Sequence, residues 1–205
     1  MPDHQTLEIY LPATDPGNTT YGLVPSGPAV PGNSSLAVRF EQEVWYNRYW
    51  RKEVIASVSP GLLDRNILIG FSKSGCGALN IAIENPTLFD SVVIFDAPLS
   101  RREVPPWNTA SFYNQRTWEE DLPETRIHEI ARLSESTSIL HIGGRAFNGE
   151  HQVFQERCDA AGIKCEYLNR HEYAHSWTSG WVREGVGRAS GALDVGGQSQ
   201  DHSIN

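Results

Sequence analysis

Two short, uninterrupted apolar runs with a helical segment between them constrain this chain more than any other feature. Asn66-Ile67-Leu68-Ile69 and Ser91-Val92-Val93-Ile94-Phe95 enclose about thirty residues, in which residues 76–83 have helical character and Pro86 closes the segment. A strand, a helix and a second strand over that length form a parallel βαβ unit. The strands do not alternate apolar with polar residues, as a half-solvated sheet would. They are apolar throughout, which requires cover on both faces. The pattern returns at residues 139–142 and 164–168, and between them Val153, Phe154, Arg157, Cys158 and Ala161 share one helical face, giving a second such unit. The expected fold class is α/β, a mainly parallel sheet with helices on both faces.

The rest of the chain is less regular. Pro, Gly, Ser, Thr and Asn dominate residues 12–35, so this loop-rich front carries only short extended pieces at residues 7–11 and 21–24. Residues 36–58 have helical composition, with Phe40, Val44, Val54 and Ile55 on one face. Residues 99–123, rich in aromatic side chains, form a candidate cap segment, and the Gly/Ser/Gln-rich residues 189–205 are expected to be a disordered tail after a single domain over residues 1–188.

Charge and hydropathy exclude several function classes. Seventeen basic against twenty-five acidic residues give a net charge of −8, and no basic cluster exceeds a pair, so nucleic acid is not an expected partner. No apolar run is long enough to span a bilayer, and the first 38 residues hold no Lys or Arg to open a secretory signal, which points to a cytoplasmic protein. The three cysteines, Cys76, Cys158 and Cys165, lack disulfide-framework or C-x-x-C spacing and are expected to be thiols.

At the end of the first apolar strand stands Gly70-Phe71-Ser72-Lys73-Ser74-Gly75-Cys76-Gly77-Ala78-Leu79. A serine in a small-residue turn between a buried strand and a helix is the setting of a nucleophile elbow. There a strained backbone projects the hydroxyl beyond the sheet edge, and the neighbours must be small because helix and strand nearly touch. Ser72 has the preceding glycine and the correct offset from the strand; Ser74 offers a second register. A phosphate loop fits worse, because Lys73 precedes Gly75 rather than following the last glycine.

This stretch resembles the α/β-hydrolase superfamily, and within it the serine esterases of the esterase D and enterochelin-esterase type, with Ser74 where those proteins usually have glycine. The resemblance implies a compact, N-terminally shortened α/β-hydrolase fold, a small-molecule ester substrate, no cofactor and no metal. It also implies a histidine after the last strands, and His175-Ser176-Trp177 is similar to the His-any-Trp segment of these esterases. The acid usually follows the strand that ends near Ile142, yet the first carboxylate there is Glu150, which equally suits the first turn of a helix. Asp96, directly after a buried strand in Phe95-Asp96-Ala97-Pro98, needs a polar partner in such a place and ranks first. The oxyanion donors would be the backbone N–H of Lys73 and one from Ala13 or Thr14, or else from Ser26 or Gly27.

One competing motif is present. His171-Glu172-Tyr173-Ala174-His175 satisfies H-E-x-x-H, the zinc-hydrolase pattern, with Glu184 as the nearest third ligand. It follows a strand within a few residues and lacks the apolar flanks of a buried helix. The expected activity is ester hydrolysis through an acyl-enzyme. The alternatives are a catalytically silent hydrolase-like binding protein and the zinc hydrolase.

Overall fold

The structure, a computed structural model, describes residues 5–14 and 17–192. Among these residues six strands form one all-parallel sheet in the order β2-β1-β3-β4-β5-β6, built from β1 (Thr6–Leu11), β2 (Ser34–Ala37), β3 (Arg65–Phe71), β4 (Ser91–Phe95), β5 (Ser138–Gly143) and β6 (Cys165–Asn169). Among the described residues six α-helices accompany them: α1 (Arg48–Val58), α2 (Lys73–Glu84), α3 (Gln115–Asp121), α4 (Ile127–Leu133), α5 (Asn148–Ala160) and α6 (Trp181–Ala189).

Strand periodicity sorts the core into two layers. Leu68, Val92, Ile94 and Ile139 face α1, α2, α4 and α5 through Val54, Leu79, Ile130 and Phe154. Their neighbours Ile67, Ile69, Val93, Phe95 and Leu140 face the opposite layer, where α6 packs Trp181 and Val186 beside Trp177. Each fully buried Leu, Ile, Val or Phe contributes about 1.5–3 kcal/mol of transfer free energy, so the central strands hold the fold from both faces.

β6 departs from this scheme. It is the edge strand, partly exposed along its length, so the buried strand expected at residues 164–168 is half-solvated instead. The helix expected over residues 36–58 is divided. Leu36 pairs with Ile9 in β2, and α1 starts only at Arg48, where the Asn47 side chain accepts the Trp50 N–H at 3.2 Å. Pro60 ends that helix, since it has no N–H to continue the ladder. Residues 21–24 form no strand. Ala189 closes α6, so the expected tail does not begin there, and its residues 193–205 lie outside the described residues. Among the described residues no helix is long and apolar enough to cross a membrane.

Candidate active site

The carboxyl ends of β3 and β4 lie side by side, Phe71 opposite Phe95, and each strand passes into a residue with a left-handed backbone. Ser72, after β3, has φ 55° and ψ −128° and immediately precedes α2. Asp96, after β4, has φ 44°. Non-glycine residues pay about 1–3 kcal/mol for such conformations, which persist only where the surroundings overdetermine them. At Ser72 the constraint is close packing. A Cβ on Gly70 would collide with the Ser74 carbonyl, and one on Gly75 would lie 2.7 Å from Ala97 Cβ, so α2 sits directly on the sheet.

Ser74 helps hold this turn. Its hydroxyl is fully buried, accepts the Phe71 N–H at 2.9 Å and lies 2.8 Å from the carbonyl oxygens of both Leu11 and Phe71. It faces β1 and β3, away from solvent, so the second register presents no accessible nucleophile. Ser74→Ala should lower unfolding stability by about 1–3 kcal/mol in denaturant titration, the cost of stranding buried polar partners, while turnover per folded molecule stays within a few-fold.

His175 lies on the loop between β6 and α6. Its Nδ1 is 2.7 Å from Asp96 Oδ2, and its Nε2 is 3.2 Å from Ser72 Oγ. With Asp96 accepting the Nδ1 proton, Nε2 is free to accept from the serine hydroxyl. The ring is boxed by Phe71 at 4.5 Å, Tyr21 at 5.0 Å and Phe147 at 5.5 Å between centroids. Its loop is tied down by the Tyr21 carbonyl, which accepts from the Trp177 N–H at 2.8 Å and the Ser176 hydroxyl at 3.0 Å. Tyr21, in a loop with no strand of its own, thus supports the site in a way no local pattern signalled.

Asp96 is wholly buried, and three N–H donors compensate its carboxylate. Phe147 N–H donates to Oδ1 at 2.7 Å, Ala146 N–H to Oδ2 at 3.1 Å, and His175 supplies the third. Glu150 is directed elsewhere. Its Oε1 accepts from Arg101 Nε at 3.0 Å, and burial raises its carboxyl above the ordinary glutamate value, with Arg101 opposing that shift.

Lys73 is the first residue of α2, placing its backbone N–H beside Ser72. Its ammonium pairs with Glu43 at 3.0 Å, and Glu43 also accepts from Asn108 at 2.9 Å, which ties residues 99–123 to α2. Above Ser72 and His175 lies a cavity of about 320 Å³, walled by Tyr21, Trp45, Trp107 and Phe147 and reached by Ala13 and Thr14 at the end of β1. The candidate cap segment therefore supplies one wall, Trp107. Ser26 and Gly27 do not reach this cavity; Gly27 lines a separate groove with Trp177 and Arg183. A larger groove of about 940 Å³ beside α1 is lined by no serine, cysteine or histidine, and its buried Arg51 is paired with Glu84 and Asp121, both at 2.6 Å.

The sequence profile of a family described as "Putative esterase" matches residues 31–185, three quarters of the chain. The chain belongs to that esterase family. No curated protein sequence matches it. Among solved structures, the esterase is similar to an S-formylglutathione hydrolase from Agrobacterium tumefaciens, at 18% identity and a TM-score of 0.60 over 93% of this chain and 84% of that one. A ferulic acid esterase aligns at 14% identity and a TM-score of 0.61 over 88% and 81% of the two chains. A substrate-bound fluorophosphonate-binding serine hydrolase from Staphylococcus aureus aligns at 12% identity and a TM-score of 0.60 over 91% and 83%. At these identities the likeness establishes the fold, an α/β-hydrolase fold, and the family match makes the chain an esterase-family enzyme.

The H-E-x-x-H segment of this esterase is not helical. Residues 171–176 form turns and bends, and His171 is exposed beside Asn169 and Glu172 while His175 turns inward to Asp96. Glu184 is held by Arg170 and by the Tyr173 hydroxyl at 3.1 Å. Two histidines on one helical turn, the arrangement that grips zinc, are not formed. His171→Ala should therefore leave ester hydrolysis within about twofold of wild type, and pre-incubation with a chelator should not alter the rate.

Proposed function

We propose that the chain is a serine esterase in which Ser72, His175 and Asp96 act as a catalytic triad through an acyl-enzyme. The observation that carries this reading is the unbroken hydrogen-bond relay from the buried Asp96 carboxylate through His175 to Ser72 Oγ, at 2.7 and 3.2 Å, with Ser72 held in a left-handed elbow. As Ser72 Oγ attacks the ester carbonyl carbon, its proton passes to His175 Nε2, and Asp96 stabilises the imidazolium that forms. His175 then gives that proton to the departing alcohol oxygen. Water, deprotonated by the same Nε2, releases the acid and restores the serine.

The oxyanion formed at each step would be met by the backbone N–H of Lys73, at the positive end of the α2 dipole, and by one from Ala13 or Thr14. Their place at the cavity beside Ser72 favours this pair over Ser26 and Gly27. A cavity of about 320 Å³ is near the lower end of the usual range of about 300–1,000 Å³ for ligand sites, and its aromatic walls suit a compact apolar or aromatic acyl group.

Incubation with a fluorophosphonate probe and assay on p-nitrophenyl esters tests the reading. Stoichiometric labelling, together with hydrolysis that favours short over long acyl chains, is expected. A folded protein that neither labels nor hydrolyses any ester of the series would instead be the catalytically silent binding protein.

A further inference from the structure

Behind the acid lies a chain of side chains, buried at its histidine end and reaching solvent at Asp159, that the proposed reaction does not use. Ala97, the residue after Asp96, donates its backbone N–H to His151 Nε2 at 2.8 Å. His151 Nδ1 is 3.1 Å from His141 Nδ1, His141 Nε2 is 2.8 Å from Gln155 Oε1, and Gln155 Nε2 donates to Asp159 Oδ1 at 2.7 Å. Both histidines are fully buried. His141 lies on β5 and the other three on α5.

One backbone donor orients the whole chain. An amide N–H can only donate, so His151 Nε2 must be unprotonated and its proton resides on Nδ1. That proton is donated to His141 Nδ1, which must then carry its own proton on Nε2, where the Gln155 carbonyl accepts it. The Gln155 amide is thereby directed to Asp159. Each group is satisfied in only one arrangement, and that arrangement requires two neutral rings. Burial pushes the His141 imidazole down to about 4, and burial together with His141 pushes His151 well below the ordinary histidine value, so both are neutral near pH 7. The position of His151 in the first turn of α5 acts the same way, since the helix dipole there disfavours a cation.

We propose that His151 is a positioning residue for the triad acid: by accepting the Ala97 N–H it fixes the left-handed backbone at Asp96 that aims the carboxylate at His175. The proposal rests on the triad reading above. Asp96 has φ 44° in close packing, where a Cβ on Gly144 would lie 2.8 Å from its Cγ and one on Gly75 2.7 Å from Ala97 Cβ, and hydrogen bonds hold its backbone on both sides. On one side Asp96 N–H donates to the Ile142 carbonyl at 2.8 Å, and on the other Ala97 N–H meets His151. The start of α5 thus acts twice. Ala146 and Phe147, just before it, grip the carboxylate, and His151, one turn in, grips the backbone that carries the carboxylate. Among the described residues no other polar side chain meets the Ala97 amide.

His151→Leu should leave KM for a p-nitrophenyl ester within about twofold and lower kcat by about 10²-fold, the scale of a misplaced reacting group, with a matching fall in the rate of fluorophosphonate labelling. His151→Gln, whose Oε1 can take the place of Nε2 as acceptor, should recover at least tenfold of that loss. In an Asp96→Asn background, His151→Leu should cost nothing further, because both act through one carboxylate. In the unmutated, 15N-labelled protein, through-hydrogen-bond couplings should join the Ala97 nitrogen to His151 Nε2, and His151 Nδ1 to His141 Nδ1. This last measurement decides the matter even if the leucine variant does not fold. Wild-type kcat in His151→Leu, equal losses in the Leu and Gln variants, additivity with Asp96→Asn, or absence of the couplings would each overturn the positioning role. If Asp96→Asn is itself fully active, the triad reading falls and takes this proposal with it; if Asp96→Asn is dead while His151→Leu is unimpaired, only the positioning role fails.

Discussion

Replacing Ser72 by alanine should lower kcat for ester hydrolysis by a factor on the order of 10⁶ and abolish fluorophosphonate labelling, the scale seen when the nucleophile of a triad is removed. The effect should be chemical and not structural. Ser72 Oγ is hydrogen-bonded to His175 at 3.2 Å, and the turn is held by Ser74 and by the close approach of α2 to the sheet. Ser72→Gly separates the two contributions. It should be equally inactive, yet more stable in chemical denaturation by about 1 kcal/mol, because glycine adopts φ 55° without the steric penalty that any other side chain pays. Labelling that survives in Ser72→Ala and disappears in Ser74→Ala would move the nucleophile to the second serine.

Asp96→Asn should cost about 10⁴ in kcat, with the protein still folded. The reason lies in the three donors that converge on this side chain. A carboxylate accepts from Phe147, Ala146 and His175 at once, whereas an amide has one oxygen and one NH₂. If the amide nitrogen takes the Oδ2 position, it opposes the Ala146 N–H and forces His175 to accept at Nδ1. The imidazole proton then moves to Nε2, and the ring can no longer take the serine proton. Glu150→Gln should change kcat by no more than a few-fold, since that side chain faces Arg101. Measuring kcat for both variants on one ester is sufficient, and a dead Glu150→Gln beside an active Asp96→Asn would reverse the assignment of the acid.

Local pattern carried the central part of this fold. The runs ending at Ile69 and Phe95 were legible as strands because a doubly covered strand must be apolar at every position, and the glycines about Ser72 marked the turn because nothing larger fits between α2 and the sheet. The same logic failed at the margins. The edge strand β6 carries Glu166 and Tyr167 on partly or fully exposed positions, and the divided segment 36–58 mixes a strand and a helix whose boundary depends on Leu36 meeting Ile9 and on the cap at Asn47. Aromatic residues at 107, 113 and 118 announced a packed excursion without showing that Trp107 would wall the site, because that depends on Glu43 bridging Lys73 and Asn108 from 65 positions away in sequence.

What the sequence alone determined was therefore the sheet class and the tight strand-to-helix turn about Ser72, with a short set of candidate partners for that serine. Which carboxylate meets His175 was decided only by tertiary structure. Asp96 and Glu150 are both plausible when read along the chain, and they differ in where the start of α5 directs its N–H groups and where Arg101 lies. His151 was invisible for the same reason. A histidine in a helix has no local signature that distinguishes a surface residue from one accepting a backbone N–H 54 positions earlier. Strand and turn propensities are set within a few residues by sterics and burial, whereas hydrogen-bond partnership is set by which chain ends the sheet order brings together, and that order is a property of the whole fold.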